Sequence, residues 1–390
     1  MIIPHLAVRN ILGAGLRTWL NVIVLSFAFV TIIWTQGFNE GLNAQASKAM
    51  IDAELGGGQY WHHNYDPYDQ ISLPDAHGPI PTLLQDYINN SKATAILITQ
   101  ATIYPNGRVY PIILKGIDPG QKVLQLPTRV LTGTETMLPV LIGERMAENA
   151  GLRMGDYVTI RWRDAHGTFD ALDAQIVHVM KTTVQSIDNG QLWIPLDKMQ
   201  NMTELRNEAT LIVLGKETQP MAEIEDWVFK DLNYLLKDIR DLARTKTVGS
   251  SILYLILLFL AMLAIFDTQI FSIFRRRKEM GTLMALGMTR LKVIQLFTLE
   301  GTMHGILAAL LATVYGFPLL AYFANNGMDL PQSMDSYGVA LGEKLFPIYS
   351  AGLVSGTALL VLIVVTIVSF IPTRKIVKLN PTDALRGKMK

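Results

Sequence analysis

The chain has 390 residues, a formal net charge of +1 and a mean hydropathy of +0.27. Half of the residues are apolar and 17% are charged, which is below the roughly 25% of ordinary soluble domains. The absence of cysteine excludes disulfides, thiol nucleophiles and cysteine metal sites.

Four apolar runs approach the roughly 20 residues that cross a bilayer core. They predict transmembrane helices at residues 19–36, 250–274, 302–323 and 347–371, with residues 1–18 as a cytoplasmic amphipathic segment. The predicted fold is an α-helical membrane protein with a mixed α/β extracytoplasmic domain between the first two spans. A cleaved signal peptide is the alternative for the first run, but the site at Ala44-Gln45-Ala46 lies too far beyond it.

Residues 37–249 are too many for a loop and predict a folded domain. The β-rich runs at 94–102 and 108–114 are joined by Asn106-Gly107, a strong hairpin signal. A helix follows at residues 143–150, with Gly151 placed to cap it. The pattern after residue 151 predicts strands at 156–163, 170–180, 192–195 and 210–214, and helices from residue 196 and at 220–230. Their alternation at the end of the domain suggests βαβ-like packing.

The segment that enters the second span has leucines and an isoleucine at helical spacing between residues 232 and 242. No proline interrupts it, so we predict one stalk helix over about 231–249 that continues into the bilayer. The alternative is a flexible link at Gly249-Ser250. The continuous helix is favoured because one glycine costs a helix only about 1 kcal/mol.

The connection at residues 275–301 is more structured than a bare tether. Met280, Leu283 and Met284 predict a first helix, and a second begins after a break at 287–289, with Thr289 as its N-cap. Apolar residues on a short helix outside the bilayer need lipid or a protein partner to cover them. The basic residues that open the segment are interpreted as a membrane anchor: Arg275, Arg276, Arg277 and Lys278.

Lysine and arginine predominate before the first span, at 275–301 and at 372–390, whereas the short connection at 324–346 is acidic. By the positive-inside rule, both termini are cytoplasmic. We therefore expect the domain at 37–249 to be periplasmic and the chain to lie in a bacterial inner membrane.

No catalytic motif is visible. The sequence has no GxxxxGK[ST] phosphate loop, no HExxH and no GxSxG, and its histidines match no standard metal spacing. Asp267 and Glu300 lie near the ends of spans, where solvation or pairing with arginine is favoured over a proton relay. We expect no metal, cofactor or nucleic-acid partner for this chain.

One motif spans the cytoplasmic connection: Arg277-Lys278-Glu279-Met280-Gly281, Leu283, Ala285-Leu286-Gly287, Thr289, Val293-Ile294 and Glu300-Gly301. It resembles the hallmark of the MacB/FtsX-like permeases of ABC transporters (type VII). The ending Pro381-Thr382-Asp383-Ala384-Leu385-Arg386 is similar to that family's P-x-[DE]-A-L-R. Within the family, residues 57–62 and 140–156 resemble the lipoprotein-releasing (LolC/LolE-like) branch.

The resemblance implies a permease that works with a separate ATPase dimer, which would hold ATP and Mg²⁺. The ATPase would bind Leu283, Met284, Ala285, Leu286, Gly287, Met288, Thr289 and Arg290. It also implies a second permease, identical or paralogous, contact with membrane lipid, and a periplasmic lipoprotein or accessory protein as a further partner. The implied function is lipoprotein release or efflux by transmitted motion. The alternatives are an FtsX-like regulator of a periplasmic cell-wall hydrolase, and a membrane-anchored binding protein without an ATPase, which the cytoplasmic motif disfavours.

Overall fold

The computed structural model describes residues 15–133, 137–221, 224–329 and 344–374. Most of the predicted N-terminal amphipathic segment, the tail after residue 374 and residues 330–343 of the short connection lie outside these ranges. The described residues fall into two compact units. One comprises 15–42, 242–329 and 344–374, and the other comprises 43–241.

The α-helices are numbered in chain order. They are α1 (Leu16–Met50), α2 (Thr82–Asn89), α3 (Glu144–Ala150), α4 (Gln185–Asp188), α5 (Leu196–Thr203), α6 (Leu232–Leu235), α7 (Lys237–Arg275), α8 (Arg277–Ala285), α9 (Arg290–Asn326) and α10 (Ala351–Thr373). A π-helical turn, Ile51–Leu55, follows α1 directly.

The strands are β1 (Gln59–His62), β2 (Gly78–Pro79), β3 (Ala93–Ile103), β4 (Tyr110–Ile117), β5 (Leu138–Gly143), β6 (Tyr157–Arg163), β7 (Phe169–Met180), β8 (Gln191–Pro195), β9 (Glu208–Ala209), β10 (Leu211–Leu214), β11 (Trp227–Lys230), β12 (Met328–Asp329) and β13 (Lys344–Leu345). The last two pair with each other, as do β2 and β9.

Within the described residues, four helices are long and apolar enough to cross a membrane. They cover Trp19–Leu55, Ser251–Arg275, Arg290–Asn326 and Ala351–Thr373, so each predicted run falls within or closely overlaps one of them. Helices α1, α7 and α9 extend beyond the apolar runs, because no proline or cap ends the helical pattern where the apolar residues stop. Helix α10 instead begins four residues after the start of its run, where Ser350 is the N-cap and its hydroxyl accepts from the Leu353 N–H at 3.2 Å.

These helices pack through a shared apolar core in which alanine and valine are frequent. Their shared core includes Leu25 and Phe29 of α1, Ala308 of α9, and Val361 and Val365 of α10. Glycines of α9 allow close approach: an added Cβ at residue 301 would lie 2.1 Å from the Ser369 Oγ, and one at residue 316 would lie 2.7 Å from a Val30 methyl. Small residues at such contacts are typical of helix pairs in membranes, where close packing replaces the hydrophobic effect.

In the second unit, nine of the described strands form one sheet in the order β11-β1-β10-β3-β4-β8-β5-β7-β6. A further pairing of β3 with β6 closes the six strands from β3 to β6 into a barrel. Most neighbours are antiparallel, but β4 pairs with β8 and β5 with β7 in parallel. The barrel interior is apolar, and Met146 and Ala147 of α3 are buried against it.

Local sequence signals explain several elements of this unit. The predicted hairpin is confirmed: β3 and β4 pair from Ile96↔Ile117 to Ile103↔Tyr110. Asn106 (φ 52°) and Gly107 (φ 74°) form its turn, in the left-handed region that these two residues tolerate. The predicted helix at 143–150 is also confirmed, and Gly151 ends it at φ 68°.

Two expectations for the end of this unit are wrong. The expected helix at 220–230 is replaced by β11, which pairs antiparallel with β1. The expected βαβ-like packing is also absent from the strands around residue 211, because β10 pairs antiparallel with both β1 and β3. Pairing with strands far away in the sequence overrides the local helical pattern there.

The stalk pattern is divided in the structure. Residues 232–235 form the separate short helix α6, capped by the Asp231 side chain, which accepts from the Tyr234 N–H at 2.8 Å. Helix α7 then runs without interruption from Lys237 to Arg275. Gly249 lies inside α7 with nothing within 4 Å of an added Cβ.

Candidate coupling site

The predicted coupling residues lie on a hairpin of two helices, α8 and the start of α9. Gly287 has φ +93° and follows the end of α8. Its N–H donates to the Met284 carbonyl at 3.1 Å, and the Met288 N–H donates to the Leu283 carbonyl at 3.0 Å. These two bonds form a Schellman motif, which satisfies the last carbonyls of a helix and favours glycine.

The next helix begins two residues later. Thr289 is the N-cap of α9, and its hydroxyl accepts from the Lys292 N–H at 3.4 Å. The prediction of a break at 287–289 with Thr289 as N-cap is therefore confirmed. The stretch from Leu286 to Thr289 thus ends one helix and starts the next, which gives the hairpin a defined turn.

One face of the hairpin is packed. Met280 of α8 and Val293, Ile294 and Phe297 of α9 form a buried apolar cluster. The partly buried side chains of Ile273, Met284 and Met288 pack against this cluster. Two of the predicted coupling residues, Met284 and Met288, therefore support the hairpin from inside.

The other face is exposed and partly apolar. Leu286 is 80% exposed and Leu291 is 70% exposed. The remaining predicted residues divide between the two faces: Leu283 is half-buried, whereas Ala285, Thr289 and Arg290 are exposed. The structure therefore brings two large apolar side chains to the turn of the hairpin, beside a basic residue.

An ionic cluster lies at the base of the hairpin. The Arg276 Nη1 donates to both carboxylate oxygens of Glu300, at 3.0 and 2.8 Å, and its Nε donates to Glu279 at 2.7 Å. The guanidinium carbon also lies 5.0 Å from the centre of the Phe297 ring. The two motif glutamates therefore meet at one arginine, while the third motif residue, Gly281, is buried in α8.

Sequence reasoning did not single out this arginine. It grouped Arg276 with three other basic residues as an anchor, but Arg275 and Lys278 are exposed whereas Arg276 is half-buried and ion-paired. The signal was available in principle: Glu300 lies two residues before the third apolar run, and a carboxylate at the edge of a span favours a charged partner. Asp267, the other acid near a span end, is exposed.

Among the residues described, no group of three or more histidine, aspartate or glutamate side chains could hold a metal ion. Three histidines of the second unit each pair with a single carboxylate: His63 with Asp226, His77 with Glu208 and His166 with Glu204.

Comparison with known proteins bears directly on the segment that contains this hairpin. Residues 251–381 match the C-terminal domain of FtsX-like permeases. The chain therefore carries an FtsX-like permease domain. The match covers α9, α10, the hairpin and most of α7, which includes every predicted coupling residue.

Curated relatives agree with this match. The chain is 24% identical over 235 residues to the macrolide export ATP-binding/permease protein MacB of Campylobacter jejuni, covering 56% of this chain and 34% of MacB. It is 23% identical over 195 residues to MacB of Wolinella succinogenes, covering 50% and 27%. An uncharacterized ABC transporter permease of Methanocaldococcus jannaschii is 23% identical over 236 residues, 55% of each chain. The resemblance to MacB/FtsX-like permeases is confirmed, although the chain spans only about a third of its MacB relatives.

A solved structure, the extracellular domain of the ABC-type transporter YknZ from Gram-positive bacteria, is 16% identical and covers 41% of this chain and 83% of that chain. Its TM-score is 0.25, too low to support an argument about the domain. The closer placement in the lipoprotein-releasing branch stays a prediction.

Proposed function

We propose that this chain is the permease subunit of an ABC transporter and that a separate ATPase dimer, with its ATP and Mg²⁺, docks on the hairpin of α8 and α9. The observation that carries the proposal is the pair of exposed leucines, Leu286 and Leu291, at the turn of a hairpin inside the FtsX-like domain. ATP-driven movement of the docked ATPase would tilt the helices and move the extracytoplasmic domain.

The construction of the hairpin favours a protein partner over lipid alone. A lipid-facing segment needs only an apolar face, whereas this turn is fixed by a Schellman motif, an N-cap and a buried cluster. A preorganised surface loses little conformational entropy when it binds a partner. The exposed Arg290 beside Leu286 would favour a docking groove that is apolar in the centre and acidic at its rim.

The proposed location is a bacterial inner membrane, with both termini in the cytoplasm and the second unit in the periplasm. The distribution of lysine and arginine supports this orientation. It places the hairpin on the side where ATP is available.

For the output, we propose efflux or lipoprotein release by a complex with two permease subunits, identical or paralogous. The name of the MacB relatives, which refers to macrolide export, favours the efflux side of this proposal. A periplasmic lipoprotein or accessory protein would then contact the second unit.

The test compares two identical substitutions at exposed leucines. Leu286→Asp places a charge at the turn of the hairpin, whereas Leu83→Asp places it on α2 in the other unit. We expect Leu286→Asp to lower the amount of co-purified ABC ATPase at least about tenfold, because loss of a central contact typically costs 2 kcal/mol or more. The measurement is quantitative mass spectrometry of the tagged permease purified from its native host, with ATP hydrolysis assayed in the same sample.

Leu83→Asp should retain the ATPase at the native level. Equal recovery of an active ATPase with both variants would reject the docking site. Covering of the hairpin by lipid alone would give that result.

A further inference from the structure

The base of the hairpin contains a connection whose role the proposed function does not assign. Arg276 lies between α7, which ends at Arg275, and α8, which begins at Arg277. Its φ and ψ angles, −97° and 20°, depart from those of an α-helix. The hydrogen bonds Arg276 N–H to Ser272 carbonyl (3.0 Å) and Met280 N–H to Arg276 carbonyl (3.1 Å) are nevertheless retained. The chain therefore turns at this residue while these two backbone hydrogen bonds remain in place.

The side chain of Arg276 ties this turn to a different helix. Its guanidinium contacts both oxygens of Glu300, which is on α9, and one oxygen of Glu279, which is on α8. The Glu300 side chain is 6% exposed, whereas that of Glu279 is 61% exposed. The Arg276–Glu300 contact, which reaches α9, is thus the buried one, and the Arg276–Glu279 contact is exposed. Salt screens the buried contact far less than the exposed one.

The apolar cluster and the ion pair supply different kinds of restraint. Contacts of Met280 with Val293 and Phe297 are non-directional, so they hold α8 against α9 but tolerate rotation and sliding. A charge-assisted hydrogen bond to both oxygens of a carboxylate requires one relative orientation. The Phe297 ring under the guanidinium limits its movement further.

We propose that Arg276 and Glu300 are positioning residues that form an ionic joint, which fixes the orientation of α8 relative to α9. The consequence rests on the proposed function: displacement of α8 by a docked ATPase would be passed to α9 as rotation of that helix instead of being absorbed at the turn. Glu279 would have a minor part, because its carboxylate is exposed and lies on the hairpin itself.

The test uses the absence of cysteine from the sequence, which lets two spin labels be attached at Ala285→Cys and Val314→Cys without removing native thiols. Ala285 is exposed at the end of α8, and Val314 is exposed on α9. With a rise of 1.5 Å per residue along α9, the labels lie about 35 Å apart, within the range of pulsed electron paramagnetic resonance. The full chain is reconstituted in lipid nanodiscs without an ATPase, and labelled chains are diluted with unlabelled ones.

We expect a narrow distance distribution in the otherwise native chain. Glu300→Ala should broaden it about twofold, because an arginine left without its buried carboxylate moves toward water and releases the orientation of α8. Arg276→Glu should broaden it similarly. The exchanged pair, Arg276→Glu with Glu300→Arg, should restore a narrow distribution, and Glu279→Gln, the matched control at the same arginine, should leave it narrow.

An unchanged distribution in Glu300→Ala would overturn the ionic joint. Broadening in the single variants that the exchanged pair does not reverse would also overturn it, since the effect would then arise from each side chain alone. If Glu300→Ala gives no monodisperse protein, Glu300→Gln replaces it, because glutamine keeps the shape of the side chain and removes its charge. The width of its distance distribution is then compared with that of the native chain in the same way. Because no ATPase is present, this result is independent of the docking test on Leu286.

Discussion

At the scale of single residues, the ion pair between Lys115 and Glu54 in the second unit gives a prediction about thermal stability. The Lys115 Nζ lies 3.0 Å from a Glu54 oxygen, and both side chains are largely buried. Burial alone would raise the pKa of the Glu54 carboxyl, but the charge of Lys115 and hydrogen bonds from Lys115 and Ser186 hold that pKa below its ordinary value. The Glu54 carboxyl is therefore ionised in the folded domain at neutral pH.

Lys115→Met should leave the Glu54 charge buried without its partner. Such a loss typically costs 3–5 kcal/mol, which corresponds to a fall in melting temperature of about 10 °C for a domain of this size. Lys216→Met is the matched control, because Lys216 pairs with Asp52 but its side chain is 44% exposed, and exposed pairs contribute about 1 kcal/mol or less. Tryptophan fluorescence during thermal unfolding gives the melting temperature of both variants. Trp193 is a suitable probe, because its ring centre lies 5.0 Å from the Lys115 Nζ. Equal shifts in the two variants would contradict this prediction.

A second residue-scale prediction concerns pH. His62 is 7% exposed on β1, and its Nδ1 accepts from the Asn64 N–H at 3.4 Å. Burial, together with the neighbouring His63 and His77, lowers the pKa of His62 from its ordinary 6.5. Well above pH 6.5 the ring is neutral in both the folded and unfolded states. As the pH falls below that value the unfolded chain binds the proton first, so stability is lost.

The melting temperature of the purified chain should therefore decline between pH 7 and pH 5. His62→Asn, which retains a polar side chain of similar reach, should make this decline shallower. His166→Asn at an exposed position is the control and should keep the native slope. An identical slope in native protein and His62→Asn would assign the decline to other groups.

At the scale of elements, helix α7 carries the next prediction. It is uninterrupted from Lys237 to Arg275, and Gly249 has helical geometry with open space around it. Gly249→Ala should therefore be neutral or stabilising by about 1 kcal/mol, the difference in helix propensity between the two residues. Insertion of several glycines at 249–250 should preserve ATP hydrolysis by the proposed partner ATPase. It should abolish movement of the cargo, because a flexible linker transmits little displacement.

The measurements are ATPase activity and cargo movement in reconstituted vesicles once the cargo is known. A large defect from Gly249→Ala would identify a hinge at this position. Full output after the glycine insertion would argue against force transmission along α7.

The elements also differ in how far the sequence alone could predict them. The hairpin break at Gly287 and Thr289 was predictable, because both caps are local signals in adjacent residues. The same is true of Asn106-Gly107 between β3 and β4. By contrast, β11 is a strand because it pairs with β1, and nothing in residues 220–230 reveals that partner. The contact of Arg276 with Glu300 was missed for the same reason, since it depends on how α8 folds back on α9.

At the scale of the whole molecule, the proposed orientation can be tested without any partner. Basic residues crowd the segments at 275–301 and 372–390, whereas the connection at 324–346 is acidic. A reporter that is active only in the periplasm should therefore work when fused at Gly120 or Asp335. It should be inactive at Gly281 or Lys390, and activity at Gly281 would reverse the proposed topology.

Strand β3 sets how the second unit can respond to force. Along one edge, residues 96–103 of β3 pair with β4. Along the opposite edge, residues 93–96 of β3 pair with β10 and residues 101–103 pair with β6. The closed barrel and the open part of the sheet are thus built on a single strand, not joined by a linker. Rotation of the barrel relative to the open part of the sheet would require breaking hydrogen bonds between strands. If a loop joined the two parts, rotation would change only the dihedral angles of that loop. A force applied to the barrel or to the open part of the sheet should therefore move the second unit as a rigid body.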